Sequence, residues 1–327
     1  MQEKIKKIIY LMLAAGFFAV PYFWAAAANH APGLAVITGI VFAVIWGNPF
    51  KEYTSKITSP LLGATIVGMG CGMDLIKVLQ AGANGILYTF IGICAGLGLG
   101  LLVGKRLKLN RDTMYLISVG TSICGGSAIA AAAPVLRAKA HDVAIASATV
   151  FALNAVALLV FPAVGHALGF TETQFGYWAA LAIHDTSSVV GAGFQYGPTA
   201  LEVGTTVKLA RALWIVPVTL FLSFFAVSAA EGEKRTVKFK VPWFIPGFLI
   251  AAAIVTWLPV LSEAGGVVKN ISKYLMITTL FLIGSNLSRE KLKELGMKPV
   301  LHGIILWIIL SVGWCSAIAA GVINCKG

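Results

Sequence analysis

The chain has 327 residues, 58% of them hydrophobic and 12% charged, a charged fraction about half that of a typical soluble domain. Mean hydropathy is +0.87, and apolar runs recur along the whole length rather than in one anchor. These values exclude an ordinary water-soluble globule, and the formal net charge of +12 reads as loop charge on a membrane protein rather than as a surface for nucleic acid.

Backbone N–H and C=O groups find no water in hydrocarbon, so only helices or closed barrels can span it. The apolar runs here are of helical length, about 17–25 residues, and lack the alternation of barrel strands. In chain order the predicted spans are 8–28, 33–48, 57–74, 84–104, 140–165, 205–229, 243–260, 267–285 and 300–322. The first has a basic start but runs on toward a second span, which reads as an uncleaved helix rather than a signal peptide. The five cysteines, Cys71, Cys94, Cys124, Cys315 and Cys325, lack metal spacing and CxxC pairs and read as free thiols.

Basic residues cluster in alternate loops: Lys4, Lys6 and Lys7; Lys51 and Lys56; Lys105, Arg106, Lys108 and Arg111; Lys234, Arg235, Lys238 and Lys240; Arg289, Lys291, Lys293 and Lys298. The positive-inside bias assigns these loops to the cytoplasm, with the N-terminus inside and the C-terminus outside. The stretch 70–82 aligns without a gap on 284–296, Gly70 with Gly284 and Gly82 with Gly296, and the flanking spans run in opposite directions. That suggests an inverted-topology repeat within one transmembrane domain, 1–327, with approximate halves 1–165 and 166–327.

Two segments, 113–136 and 174–204, have another character. In the first, the apolar stretch 114–119 meets the glycine- and hydroxyl-rich stretch 120–127, then small residues up to Leu136. In the second, 177–183 meets 184–193, again rich in Ser, Thr and Gly. Each reads as a short helix, a polar break and another short segment. Such breaks are tolerated at membrane depth where they line a cavity, and a half-helix starting there points its amides and positive dipole end at an anion. They fit either two oppositely oriented re-entrant hairpins or two full, interrupted crossings. A seam of closely packed small residues is the competing structural explanation. The fold expected is therefore an all-α polytopic membrane protein with 9–11 transmembrane helices and two interrupted or re-entrant segments.

Ionisable residues at membrane depth are functional candidates. Asp185 lies in the second break, as a carrier of coupling charge or as a helix cap, and His184 precedes it. Lys208 and Arg211 share a helix face, placed to hold an anion, neutralise Asp185 or snorkel. Asn154 lies mid-span, lining the site or bonding a neighbouring helix. The five histidines are scattered, and HExxH, GxSxG and a P-loop are absent from the sequence, which points away from an enzyme or an ATP-driven pump.

The strings GTSICGGSAIAAAAPVL, AIHDTSSVVGAG and VKLARALWIVP together resemble the YeiH-like family of bacterial inner-membrane proteins, labelled sulfate exporters and grouped distantly with cation–proton antiporters and bile-acid-type symporters. The resemblance covers most of the chain. It implies a site of Thr121, Ser122, Cys124, Gly125 and Ser127, with His184, Asp185, Thr186 and Ser187, and Lys208 and Arg211; Gly126 and Ser188 lie within the same motifs. The paired membrane-depth acids of antiporter relatives are missing from the sequence. The expected function is secondary transport of a small anion, sulfate or sulfonate-like, between the two breaks, with Asp185, His184 and Asn154 coupling it to H⁺ or Na⁺ and no cofactor or metal. A cation/proton antiporter, a passive channel and a non-transporting scaffold are the alternatives. The bacterial inner membrane is the expected location, the lipid bilayer and a small anion are the expected partners, and a homodimer is a reasonable assembly.

Overall fold

The computed structural model describes residues 2–23, 31–227, 243–286 and 296–323. The described residues form fourteen α-helices and no strand: α1 (Gln2–Phe23), α2 (Ala31–Ile45), α3 (Lys51–Gly70), α4 (Leu75–Arg106), α5 (Arg111–Ser122), α6 (Gly126–Leu136), α7 (Ala140–Ala167), α8 (Glu172–Ala182), α9 (Thr186–Tyr196), α10 (Pro198–Ala212), α11 (Ile215–Val227), α12 (Phe244–Trp257), α13 (Ser262–Ser285) and α14 (Met297–Ala319). Five stretches are long and apolar enough to cross a bilayer: Gly85–Arg106, Ala140–Ala167, Pro198–Leu222, Pro259–Ser285 and Met297–Ala319. A sixth crossing arises if α3 and Leu75–Ala83, bent by 112° at their junction, count as one. The remaining spans expected from the sequence fall on α1, α2 and α12. The chain is an all-α polytopic membrane protein. The basic loops 234–240 and 289–293, and most of the second copy of the 70–82 repeat, lie outside the described residues.

Two groups of helices pack side by side. One holds α1, α2, α3, α12 and α13; the other holds α4 to α11 and α14. They meet where α9 lies against α2 and α13, with smaller contacts of α4 on α12 and α2 on α7. Small residues let the second group pack closely. Along one face of α4, every fourth residue is glycine, and a Cβ at each would press on a neighbour: at Gly92 on the Trp314 ring, at Gly96 on Ser122, at Gly100 on Ser118 and at Gly104 on Met114. Hydrocarbon gives helices no hydrophobic reason to associate, so close van der Waals contact of this kind holds them. His302 of α14 pins the same face, its Nε2 lying 2.9 Å from the Gly100 carbonyl.

The interrupted segments are both re-entrant. Asn110 Nδ2 and Thr113 Oγ1, where α5 begins, donate to Asp142 Oδ1 in the first turn of α7, at 2.7 and 2.8 Å. Three residues, 137–139, join the end of α6 to that same turn. Both ends of the α5–α6 segment therefore lie at the start of α7. Across its break, a Cβ on Gly120 would lie 2.8 Å from the Ile129 side chain, as two antiparallel arms require. The α8–α9 segment repeats this at the far end of α7. Tyr196 donates its hydroxyl to the Phe170 carbonyl at 2.6 Å and stacks on Phe175 with ring centroids 3.8 Å apart. Glu172 Oε2 accepts from the Thr199 amide at 2.7 Å. Since α7 has 28 residues, about 42 Å at 1.5 Å each, the two hairpins enter from opposite ends of a helix longer than the hydrocarbon core is thick.

Candidate functional site

Each hairpin arm has 11 or 12 residues, roughly 17 Å, which brings both tips near mid-bilayer. The first tip is Ile123–Cys124–Gly125 and the second Ile183–His184–Asp185. They touch: a Cβ on Gly125 would lie 3.1 Å from Asp185 Cβ and 3.5 Å from Val150 of α7. Gly125 has φ +68° and ψ −128°, a conformation open to glycine and strained for a residue with a side chain. The turn and the contact thus both require this glycine.

The breaks are shorter than their composition suggested. Thr121 and Ser122 end α5 as helix, and α6 resumes at Gly126, so Ser127 lies in its first turn; Thr186, Ser187 and Ser188 form the first turn of α9, which is helical to Tyr196. Three non-helical residues suffice to reverse each chain. The serines and threonines expected in unwound backbone are helical because their hydroxyls do not prevent helix formation when the amides remain paired.

A buried pair of cations closes the tips. Arg211 of α10 donates from Nε and Nη2 to the Ser122 carbonyl at 2.9 and 2.6 Å and from Nη2 to Thr121 O at 3.4 Å. Its Nη1 donates to Ala180 O at 3.2 Å and to Leu181 O. One guanidinium therefore satisfies the orphan carbonyls of α5 and α8 together, where both helix dipoles are negative. Lys208 Nζ donates to Ile183 O at 2.6 Å and Ala180 O at 3.3 Å. Both side chains are essentially inaccessible, at 1% and 0% exposure. The pair was expected to hold an anion; in this structure their donors serve backbone carbonyls of the two tips. Nor do they pair with Asp185, since no salt bridge of either to a carboxylate occurs among the described residues. Asp185 is the N-cap of α9, with Oδ1 accepting from the Ser188 amide at 2.7 Å and Oδ2 from Ser187 Oγ at 2.8 Å. The helix-cap role weighed for it is the one seen in this structure.

Other predicted residues divide by accessibility. Ser127 is exposed and Gly126 and Asp185 are half-buried, whereas Thr121, Cys124, Asn154, His184, Thr186 and Ser188 are buried. Ser122 turns its hydroxyl toward Gly96 of α4 and reaches the crossing through its carbonyl alone. Asn154 Oδ1 accepts from the His184 amide at 3.0 Å, tying the second tip to α7. Its Nδ2, both ring nitrogens of His184 and the Thr121 hydroxyl have no hydrogen-bond partner. Burying such groups unpaired is costly. The amino ends of α5, α8 and α9 carry side-chain caps from Asn110, Thr171 and Asp185; α6, with Gly125 at its N-cap position, has none.

Residues 8–303 match the family described as Conserved hypothetical protein 698. The chain belongs to this family. It is 55% identical over 290 residues to a UPF0324 membrane protein of Bdellovibrio bacteriovorus, covering 89% of each chain. It is 44% identical over 283 residues to one of Bacteroides thetaiotaomicron, covering 86% of this chain and 84% of the other. With one of Geobacter sulfurreducens the identity is 47% over 277 residues, 85% and 87% covered. No solved structure matches the chain.

In this family member, reading the sequence missed the residues that hold the hairpin mouths. Asp142 and Glu172 each join an arm to a neighbouring helix. Both sit in the first turn of a helix, where a carboxylate is ordinarily read as a dipole partner. Asn110, three residues before Thr113, carried a legible N-cap signal; its second bond, to Asp142, did not.

Proposed function

We propose that this protein is a secondary transporter of a small anion, sulfate or sulfonate-like, bound where the two hairpin tips meet. The observation that carries the reading is the uncapped amino end of α6, which presents its first amides beside exposed Ser127 and against the second tip. Helix amino ends bind anions through their free N–H groups and positive dipole. The local charge agrees. Lys208 and Arg211 are two buried cations, and Asp185, the one carboxylate at the crossing among the described residues, pairs with neither and caps α9. The cations set the potential of the site through the carbonyls they hold rather than by touching substrate. Hairpins entering from opposite ends of α7 support an inverted-topology relation between the segments containing them, and the division into two helix groups supports alternating access by movement of one against the other. The motif resemblance to YeiH-like sulfate exporters favours the same substrate class. On this reading the protein works in a bacterial inner membrane, N-terminus inside, as a monomer or homodimer.

Thermal unfolding of the purified protein in detergent, with sulfate, a simple sulfonate, chloride or Na⁺ added at several pH values, tests the proposal. Stabilisation by sulfate or sulfonate, together with saturable sulfate counterflow in proteoliposomes, is expected. Stabilisation by Na⁺ alone would replace the reading with a cation/proton antiporter. Unsaturable flux would replace it with a channel, and no response to any ion would leave a scaffold.

A further inference from the structure

We infer that the ion coupled to the anion is a proton and that His184, not Asp185, carries it. This rests on the anion-transport reading above and adds the coupling chemistry to it.

The ionisable groups at the crossing are Lys208 and Arg211 from α10, Asp185 and His184 in the second tip, and the Cys124 thiol in the first. Helix α7 contributes the neutral Asn154. All but two of these groups have a structural task. The cations are bound to carbonyls of both tips. Both carboxylate oxygens of Asp185 hold the first turn of α9; a proton there would weaken the bonds that keep α9 capped at each turnover. The thiol of Cys124 is a weak hydrogen-bonding group that is inert when buried. His184 differs. Its backbone amide is held by Asn154, neither ring nitrogen has a partner, and the residue is 1% exposed.

Charge then links the two ligands. Lys208 holds the carbonyl of Ile183, the residue before His184, and Arg211 holds those of Ala180 and Leu181 on the same arm. A proton taken up on the imidazole lone pair would add a third positive charge beside two buried cations, a combination disfavoured in a poorly screened interior. An anion at the amino end of α6 supplies the opposing charge. Anion binding and imidazole protonation therefore favour each other, and the coupling is reciprocal. Anion and proton enter from one side, and the proton leaves the same nitrogen when the anion departs on the other. No covalent bond other than N–H forms or breaks.

Proton uptake on binding tests this directly. In weakly buffered detergent solution containing a pH indicator, adding sulfate to the purified protein should remove a proton from solution for each sulfate bound. Apparent sulfate affinity should weaken by roughly tenfold per pH unit where binding requires that proton. His184→Gln should abolish the uptake and the pH dependence of whatever sulfate binding it retains. Sulfate binding by the unsubstituted protein without proton uptake would overturn the inference and leave the anion reading intact. Uptake that persists in His184→Gln but disappears in Asp185→Asn would move the carrier to Asp185 and also overturn it. Absence of sulfate binding at every pH would overturn the anion reading and this one with it.

Discussion

Arg211 shows how a residue's role is set by what its donors meet. A guanidinium carries five N–H donors in a planar fork, and here the fork spans the carboxyl ends of two half-helices, Thr121 and Ser122 on one tip and Ala180 and Leu181 on the other. Lysine has the same charge and a single nitrogen. Arg211→Lys should therefore keep the potential of the site while releasing one of the two helix ends. The expected cost is about 2 kcal/mol, the scale of a lost charge-assisted hydrogen bond, read as a lower unfolding temperature in detergent; an unchanged temperature would mean that the fork does not hold the tips together. In the sequence, Lys208 and Arg211 were visible as a cationic pair on one face, but nothing identified their acceptors. Backbone carbonyls look the same at every position, and only the ends of helices leave them free.

At the scale of elements, the hairpin arms are short because each leaves the membrane on the side it entered, and they remain in place because long helices flank them. The α5 arm lies along the glycine face of α4, where Ser118 and Ser122 occupy the space a side chain at Gly100 or Gly96 would take: a Cβ at Gly100 would come 2.3 Å from Ser118 Oγ. Gly100→Ala should thus destabilise the protein, and Ser118→Gly in the same chain should recover part of the loss. The double-mutant cycle should give a coupling of about 1 kcal/mol, whereas strict additivity would show that the two helices do not pack through this pair. The small-residue explanation weighed for the breaks from sequence is therefore correct for one of their faces. Ser122 packs against a glycine, while Gly125, three residues after α5 ends, belongs to the crossing. Composition could not separate these uses, since both call for small residues.

Across the whole molecule, the two tips share one anchoring helix, α10, and so belong to one helix group, while α2 and α13 of the other group bear on α9. Alternating access on the proposed reading is relative movement at that surface. Gly33 of α2 and Gln195 of α9 face each other across it, a Cβ on Gly33 lying 2.9 Å from Gln195 Oε1. Cysteines placed at both positions, with the native cysteines replaced by serine, should form a link that stops sulfate counterflow and releases it on reduction. Full counterflow in the linked protein would rule out movement at this surface.

By itself the sequence determined the solvent and the building material. A chain this apolar, with so few charges, must bury its backbone polarity in helices, and the glycine-, serine- and threonine-rich strings at 120–127 and 184–193 marked the neighbourhood of the two breaks, though not their short extent. It also brought Asp185, His184, Lys208 and Arg211 forward, because charge at membrane depth is rare enough to need a reason. Tertiary structure alone decided that the interrupted segments turn back, since the bonds of Asn110 and Thr113 to Asp142, and of Tyr196 to Phe170, join residues about 30 positions apart that no local pattern links. It alone decided that the cations serve carbonyls, that Asp185 serves a helix end and that His184 serves neither. These are questions of which donor meets which acceptor, and that depends on how separate helices are placed against one another, not on the order in which their residues are joined.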